Sequence, residues 1–290
     1  MIVMRLKGGL GNQMFQYALG RRLAIDHNTD LMLDTASYNY DRLRVYRLDV
    51  FNIKASASDR LPFVATDSRF KYVNHIFQKI KSLFGKPYQI IKEKGFPFDP
   101  TILECSDQAY LDGFWQSEQY FNSVAQIIRE DLALKTPITG ELKKIAEQIK
   151  VTPNSVSLHV RRGDYVSNPV TTAFHGVCGV DWYLQAASMM EERLSNPTFF
   201  VFSDDYEWAK ANLRFQSNAI FIKPSPDGQE CNDLHVMSLC QNNIIANSSF
   251  SWWGAWLNTN PNKIVIAPKV WFVGGPQDTR DLIPASWIRI

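Results

Sequence analysis

The feature that most restricts this chain is a rhythm in its second half. Short runs of apolar residues, rich in β-branched and aromatic types, alternate with longer segments of helical pattern. Residues 156–160, 199–202, 219–222, 244–246 and 264–267 read as buried strands. Residues 181–194, 231–240 and 252–257 read as the helices between them. The Ser203-Asp204-Asp205 run supplies N-cap residues, so a further helix is expected to start there. Repeated strand–helix units with buried strands call for a parallel, doubly wound sheet.

The first half is less regular. A strand over 2–6 leads into a glycine turn at 8–11, a helix over 12–27 and a second strand over 30–33. Residues 38–100 resist assignment, 117–132 read as a helix, and Pro137 closes the half before a helix over 140–150. The chain has 290 residues, enough for two α/β domains. The expected division is an N-terminal domain over 1–138 and a C-terminal one over 139–290.

Charge narrows the function classes. Thirty-one basic and 29 acidic residues leave a formal charge of +2, which gives no whole-chain argument for nucleic acid. The balance is uneven, however. Residues 69–94 carry seven Lys or Arg and one acid, Glu93, interleaved with Phe77, Ile80, Phe84, Tyr88 and Ile91. That stretch reads either as a solvated face over a packed stripe or as a peripheral contact with an anionic membrane surface. The four cysteines, at 105, 178, 231 and 240, have neither CxxC nor zinc spacing and suit a reducing compartment. No apolar run reaches the roughly 18 residues of a spanning helix. The expected setting is cytoplasmic, with peripheral contact at the inner membrane face the alternative.

In open α/β sheets, ligands gather at the carboxyl ends of strands. Four such places carry candidate chemistry. In His159-Val-Arg161-Arg162-Gly-Asp164-Tyr165, His159 and Arg161 lie two apart on one face, and an Arg fork suits a diphosphate, with Asp164 orienting Arg161 or Arg162. In Asn247-Ser248-Ser249-Phe250-Ser251-Trp252-Trp253, a strand runs through a serine turn into a helix, whose first N–H groups suit an anion. The bland alternative there is N-capping by Ser249 or Ser251. In Gly8-Gly9-Leu10-Gly11-Asn12-Gln13, the glycines let backbone approach a ligand, and Asn12 and Gln13 suit a sugar. In Asp112-Gly-Phe-Trp115-Gln116-Ser117-Glu118, an aromatic face stands beside polar groups that suit a carbohydrate, or else Ser117 caps a helix over core aromatics. Asp204-Asp205 lacks D-x-D spacing, so no metal is expected and Arg and helix-end dipoles would carry leaving-group charge instead.

This set of motifs resembles the α-1,2-fucosyltransferases of glycosyltransferase family 11, in bacterial form. The resemblance runs through Gly8–Gln13, 113–121, 159–165, 203–205 and 247–256. It implies a GT-B-like fold, two Rossmann-like domains facing across a cleft, with the acceptor side N-terminal and GDP-fucose held C-terminally. It implies an inverting transfer of L-fucose from GDP-β-L-fucose to the 2-hydroxyl of a terminal galactose, on a glycan or glycolipid acceptor and without a metal or other cofactor. The catalytic residues it marks are Arg161, His159 and Asn12. Those it places on the donor are Asp164, Ser248, Ser249, Phe250, Gly9 and Gly11, with Asp233 reading the guanine edge from 16 positions before Ser249. Trp115, Gln116 and Glu118 are the expected acceptor contacts. A transferase of the same fold with another nucleotide sugar, and a non-catalytic sugar-binding protein, are the rival readings.

Overall fold

A computed structural model describes residues 1–60, 88–226 and 228–290. Most of the basic stretch, 69–87, lies outside the described residues, and the membrane reading of 69–94 lies there with it. The chain forms two compact units, Met1–Leu132 and Ala133–Ile290. The expected division at 138/139 lies a few residues further along, before the first helix of the second unit.

The first unit is a five-stranded parallel sheet. Its strands are β1 (Ile2–Arg5), β2 (Leu31–Asp34), β3 (Ser56–Ser58), β4 (Gln89–Lys92) and β5 (Ala109–Asp112), in the spatial order β3-β2-β1-β5-β4. Helix α1 (Leu10–Asp26) packs on it and is buried nearly all round through Met14, Phe15, Tyr17, Ala18, Leu19 and Leu23. Tyr17 donates its hydroxyl to Asp131 at 2.6 Å, tying α1 to α2 (Ala125–Asp131).

One expectation needs correction here, and three strands carry no mark in the sequence. Strands β3 and β4 fall in the unassigned 38–100 and β5 just beyond it, because three or four residues carry little periodicity. The helix expected over 117–132 is α-helical only at its end. Ser117 caps a single 3₁₀ turn, Glu118–Tyr120, and a second follows at Asn122–Val124. Tyr120 and Phe121, both fully enclosed, are drawn into the core there.

The second unit is a six-stranded parallel sheet. Its strands are β6 (Ser155–Val160), β7 (Thr198–Ser203), β8 (Asn218–Ile222), β9 (Asn242–Ile244), β10 (Val265–Ala267) and β11 (Ile288–Arg289). Their order is β11-β10-β9-β6-β7-β8. Helices α3 (Gly140–Val151), α4 (Gly163–Ser167), α5 (Pro169–His175), α6 (Val180–Arg193), α7 (Tyr206–Asn212), α8 (Glu230–Ser238) and α9 (Ser249–Leu257) complete it. Val156, Leu158 and Val160 alternate onto a core with Tyr183, Met190, Phe199, Val201, Ile244 and Ile266. On α9, Trp252, Trp253 and Trp256 are buried, and Trp252 Nε1 donates to the Leu282 carbonyl at 2.8 Å.

Strand β9 begins two residues before its expected start, on asparagines that strand propensity disfavours. Their amides are satisfied inside the unit. Asn243 Nδ2 donates to Ser157 Oγ at 2.7 Å and Asn243 Oδ1 accepts from Asn258 at 2.8 Å, while Asn242 Oδ1 accepts the Ile264 N–H at 2.8 Å.

Candidate active site

Each sheet reverses its direction of growth once among the described strands. In the second unit the chain builds outward from β6 through β7 to β8, then returns to lay β9 on the other side of β6. In the first it builds from β1 through β2 to β3, then places β5 on the other side of β1. Loops leaving the two strands at such a point part in opposite directions and open a crevice, which is where ligands bind in these sheets. The crevice between β6 and β9 is bordered by the His159–Tyr165 and Asn247–Phe250 segments. The one between β1 and β5 is bordered by Gly8–Gln13 and Asp112–Gln116. All four sequence-selected segments therefore stand at switch points.

In the second unit Arg161 is the hub. Its guanidinium pairs with Asp164 and, at 2.9 Å, with Asp204, and lies 5.2 Å from the Tyr165 ring centre. Its Nε is buried without a partner. Burial works against its charge, but Asp204 and Asp164 outweigh it and hold the pKa above the ordinary value. Arg162 turns elsewhere, to Asp205 at 3.1 Å and over the Trp208 ring at 3.7 Å. Asp164 thus orients Arg161 rather than Arg162.

Asp204 and Asp205 divide their work. Asp205 caps α7 by accepting the Trp208 N–H. Asp204 is not a cap: it accepts the Arg162 N–H at 2.8 Å and clamps Arg161. Sequence reading missed this role, although Asp204 directly follows a strand that neighbours β6.

His159 is buried, with its ring 5.5 Å from that of Phe250 and its Nδ1 unpartnered. Burial first, and Arg161 second, push its pKa down to about 3, so the ring is neutral at physiological pH. Ser248 occupies the N-cap position of α9 without a side-chain cap bond, and Ser249 and Phe250 form its first turn. Neither Ser249 nor Ser251 is the cap; Ser251 Oγ donates back to the Ser248 carbonyl at 3.3 Å. The first-turn N–H groups point out of the helix end beside Phe250. Asn247 is structural, donating to the carbonyls of His175, Gly176 and Trp271. Asp233 lies within α8, not at its cap, and accepts both the N–H and the hydroxyl of Ser225, at 2.9 and 2.8 Å. Burial raises its pKa, against those two hydrogen bonds.

In the first unit Gly8 has φ +79°, and a Cβ there would lie 2.5 Å from Asn12 Nδ2. Gly9 is the N-cap residue of α1 and Gly11 is buried in its first turn. Asn12 Oδ1 accepts from Gln116 Nε2 at 2.6 Å. Gln116 is 7% exposed, and its Oε1 has no partner. Gln13 is not available to a sugar: it is fully buried, donating to Gly8 and Val45 carbonyls and accepting the Arg47 N–H.

Trp115 is likewise a correction. At φ +57° its backbone turns the indole back onto Gly113, edge-on to Tyr120, and only 1% of it is exposed. It therefore presents no stacking face. Glu118 opens the 3₁₀ turn and is half-buried. Among the described residues no group of three His, Cys, Asp or Glu side chains gathers as metal ligands would, and no helix is long and apolar enough to cross a membrane.

The family model of glycosyl transferase family 11 matches residues 1–288. An alpha-1,2-colitosyltransferase of Escherichia coli is 37% identical over 302 residues, covering 100% of this chain and 98% of that protein. The O-antigen biosynthesis glycosyltransferase WbnK of Escherichia coli is 34% identical over 309 residues, covering 98% and 99%. Among solved structures, fucosyltransferase NodZ from Bradyrhizobium matches with a TM-score of 0.51 at 14% identity, over 87% of this chain and 91% of that one. That likeness concerns the fold alone, and it is the GT-B-like α/β class expected from the sequence.

Proposed function

The chain belongs to glycosyl transferase family 11, and we propose that this glycosyltransferase is an inverting fucosyltransferase. It moves L-fucose from GDP-β-L-fucose to the 2-hydroxyl of a terminal galactose, in an O-antigen-type glycan. The observation that carries the reading is that the doubly clamped Arg161 and the N-terminal turn of α9 leave the two strands of one switch point, β6 and β9, with the His159 and Phe250 rings in contact between them at 5.5 Å. An oxocarbenium-like transition state leaves negative charge on the departing diphosphate. The Arg161 guanidinium and the N–H groups at Ser249 and Phe250 supply fixed positive charge and donors to it.

Asp164 and Asp204 hold the guanidinium plane, so no reorganisation is needed at the moment of transfer. His159, neutral, contributes a hydrogen bond and a ring rather than a proton. Ser248 offers a backbone approach to the donor. Asp233 keeps further lone pairs beyond those that Ser225 uses, and these suit guanine N1–H and N2–H. Asn12, Gln116 and Glu118 serve the sugar acceptor. No metal is needed in this scheme, and a cytoplasmic setting accords with four free cysteines.

The 37%-identical colitosyl relative supports a second reading, in which the donor sugar is colitose, which is fucose lacking its 3-hydroxyl. The test is transfer from GDP-fucose and GDP-colitose to a galactoside array in excess EDTA, with product linkage read by NMR. We expect α-1,2 fucosylation that EDTA leaves intact, and loss of about 10²–10³ in rate for Arg161→Lys but not for Arg162→Lys. Turnover of GDP-colitose alone replaces the donor. A collapse in EDTA that Mg²⁺ restores overturns the metal-free scheme. Competition by UDP instead of GDP overturns the nucleotide, and GDP binding without transfer overturns the enzyme.

A further inference from the structure

Glu93 is the one acid of the basic 69–94 stretch, and it stands immediately after β4, at the carboxyl edge of the first sheet. Its two oxygens are both committed to backbone. Oε2 accepts the Phe114 N–H at 2.7 Å and Oε1 accepts the Trp115 N–H at 2.9 Å. These are successive amides at the point where the chain leaves β5 and enters the left-handed conformation of Trp115, φ +57°. A bulky residue does not hold that conformation unaided, and its cost is of the order of 1–3 kcal/mol.

The surroundings fit the clamp closely. A Cβ on Gly113 would lie 2.6 Å from both Glu93 Cβ and the Trp115 ring, so only glycine lets the carboxylate reach. Gln16 secures the same loop from α1, donating to the Gly113 carbonyl at 3.0 Å. Lys7 bridges to Asp112 at 2.9 Å and covers the Phe114 ring, with Arg5 on the second Asp112 oxygen at 2.8 Å. The residue that follows the kink is Gln116, whose amide meets Asn12 and whose unpartnered Oε1 is buried.

We propose that Glu93 is a positioning residue: its carboxylate holds the Phe114–Trp115 backbone in its kink and so sets Gln116 against Asn12 for recognition of a sugar hydroxyl. The inference rests on the reading of Asn12 and Gln116 as sugar contacts. Sequence inspection did not single out Glu93 for any role, because its partners lie more than twenty residues away and are backbone groups.

The clamp depends on protonation. A carboxylate accepts both N–H groups; the protonated acid must turn one oxygen into a donor. Burial raises the Glu93 pKa, the two N–H bonds and Lys7 lower it, and Asp112 raises it; the net shift is upward. The groups that face it are Lys7 beyond β1 and Asp112 at the end of β5, with Arg5 bound to the latter. As pH falls through the raised pKa, the clamp loosens before an ordinary glutamate would be protonated.

The experiment compares wild type, Glu93→Gln and Glu93→Ala in the full chain. Hydrogen exchange at the Phe114 and Trp115 amides reads the clamp, acceptor KM and GDP Kd read the site, and kcat/KM is followed from pH 4 to 8. We expect exchange at least about tenfold faster in Glu93→Ala, with acceptor KM raised about 10–100-fold, as for a loop misplaced by about an ångström. GDP Kd should not change. Glu93→Gln, which keeps one acceptor, should be intermediate and should lose the acid limb of the profile. Unchanged exchange overturns the clamp. Faster exchange with an unchanged acceptor KM, or a GDP Kd that weakens in step with KM, overturns the positioning role. Wild type that transfers no sugar, while exchange still follows Glu93, overturns the proposed function and leaves the clamp standing.

Discussion

Arg161 lies two residues from His159 and shapes its chemistry. The guanidinium stays charged because Asp204 and Asp164 outweigh the cost of burying it. That fixed charge, added to burial, helps keep the imidazole neutral, with a pKa near 3. The consequence for stability has a definite sign. Unfolded, His159 titrates near its ordinary value of about 6.5. Between that pH and about 3, the unfolded chain binds a proton that the folded chain refuses. Its contribution is therefore intact above pH 6.5 and is lost as pH falls below it. His235, whose pKa burial also lowers, acts in the same direction. We expect urea denaturation of His159→Asn to show a shallower loss from pH 6.5 to 4 than wild type, by about 1.4 kcal/mol per pH unit. Parallel pH profiles for the two proteins would mean that the ring takes up a proton in the folded state.

At the scale of elements, one amide ties together the segments beside the β6/β9 crevice. Asn247 follows β9 and donates its Nδ2 to three carbonyls. Two, at His175 and Gly176, belong to the end of α5, and the third is Trp271, beyond β10. Its Oδ1 accepts from Cys178, ahead of α6, and its own carbonyl accepts the Tyr165 hydroxyl of α4. The Asn-Ser-Ser sequence fits a glycosylation sequon, but at 3% exposure this side chain is reserved for the fold. Asn247→Ala strips the shared donor from buried carbonyls and should cost about 2–3 kcal/mol. The check is the urea midpoint, together with GDP affinity, which should fall because α4 carries Asp164. The β1/β5 crevice has a corresponding fastener in Gln16, which donates to the Lys7 and Gly113 carbonyls and accepts the Lys7 N–H. Both fasteners are polar side chains at full or nearly full burial, a placement that hydrophobic patterning does not mark.

Across the whole molecule all four cysteines are free and buried, and burial pushes the thiols of Cys105, Cys178 and Cys231 up to about 11 and that of Cys240 further. A thiol-reactive dye at pH 8 should label fewer than one per native chain within minutes and all four after denaturation; prompt native labelling would place a thiol at the surface. Most elements were legible because they are local. Val156, Leu158 and Val160 declare a buried strand by composition, and Asp205 declares a helix start by capping chemistry. The strand-end motifs were legible too, since a parallel sheet gathers its loops at one edge whatever their sequence. Strand β5 was not, because its four residues are strand only through their pairing with β1 and β4. Nor was the fate of the polar side chains. Composition offers Trp115 as a stacking face, Gln13 as a sugar contact and Asp204 as a cap. Burial and distant partners make them a core residue, a loop fastener and an arginine clamp. Local pattern and motif set the parallel α/β class, its strand ends and the family; long-range packing set which charges and amides there are already committed within the protein. Periodicity and capping act within a turn or two of chain, whereas desolvation and hydrogen bonding are settled between residues some twenty to more than a hundred positions apart, as Glu93 with Trp115 and Arg5 with Asp112 are.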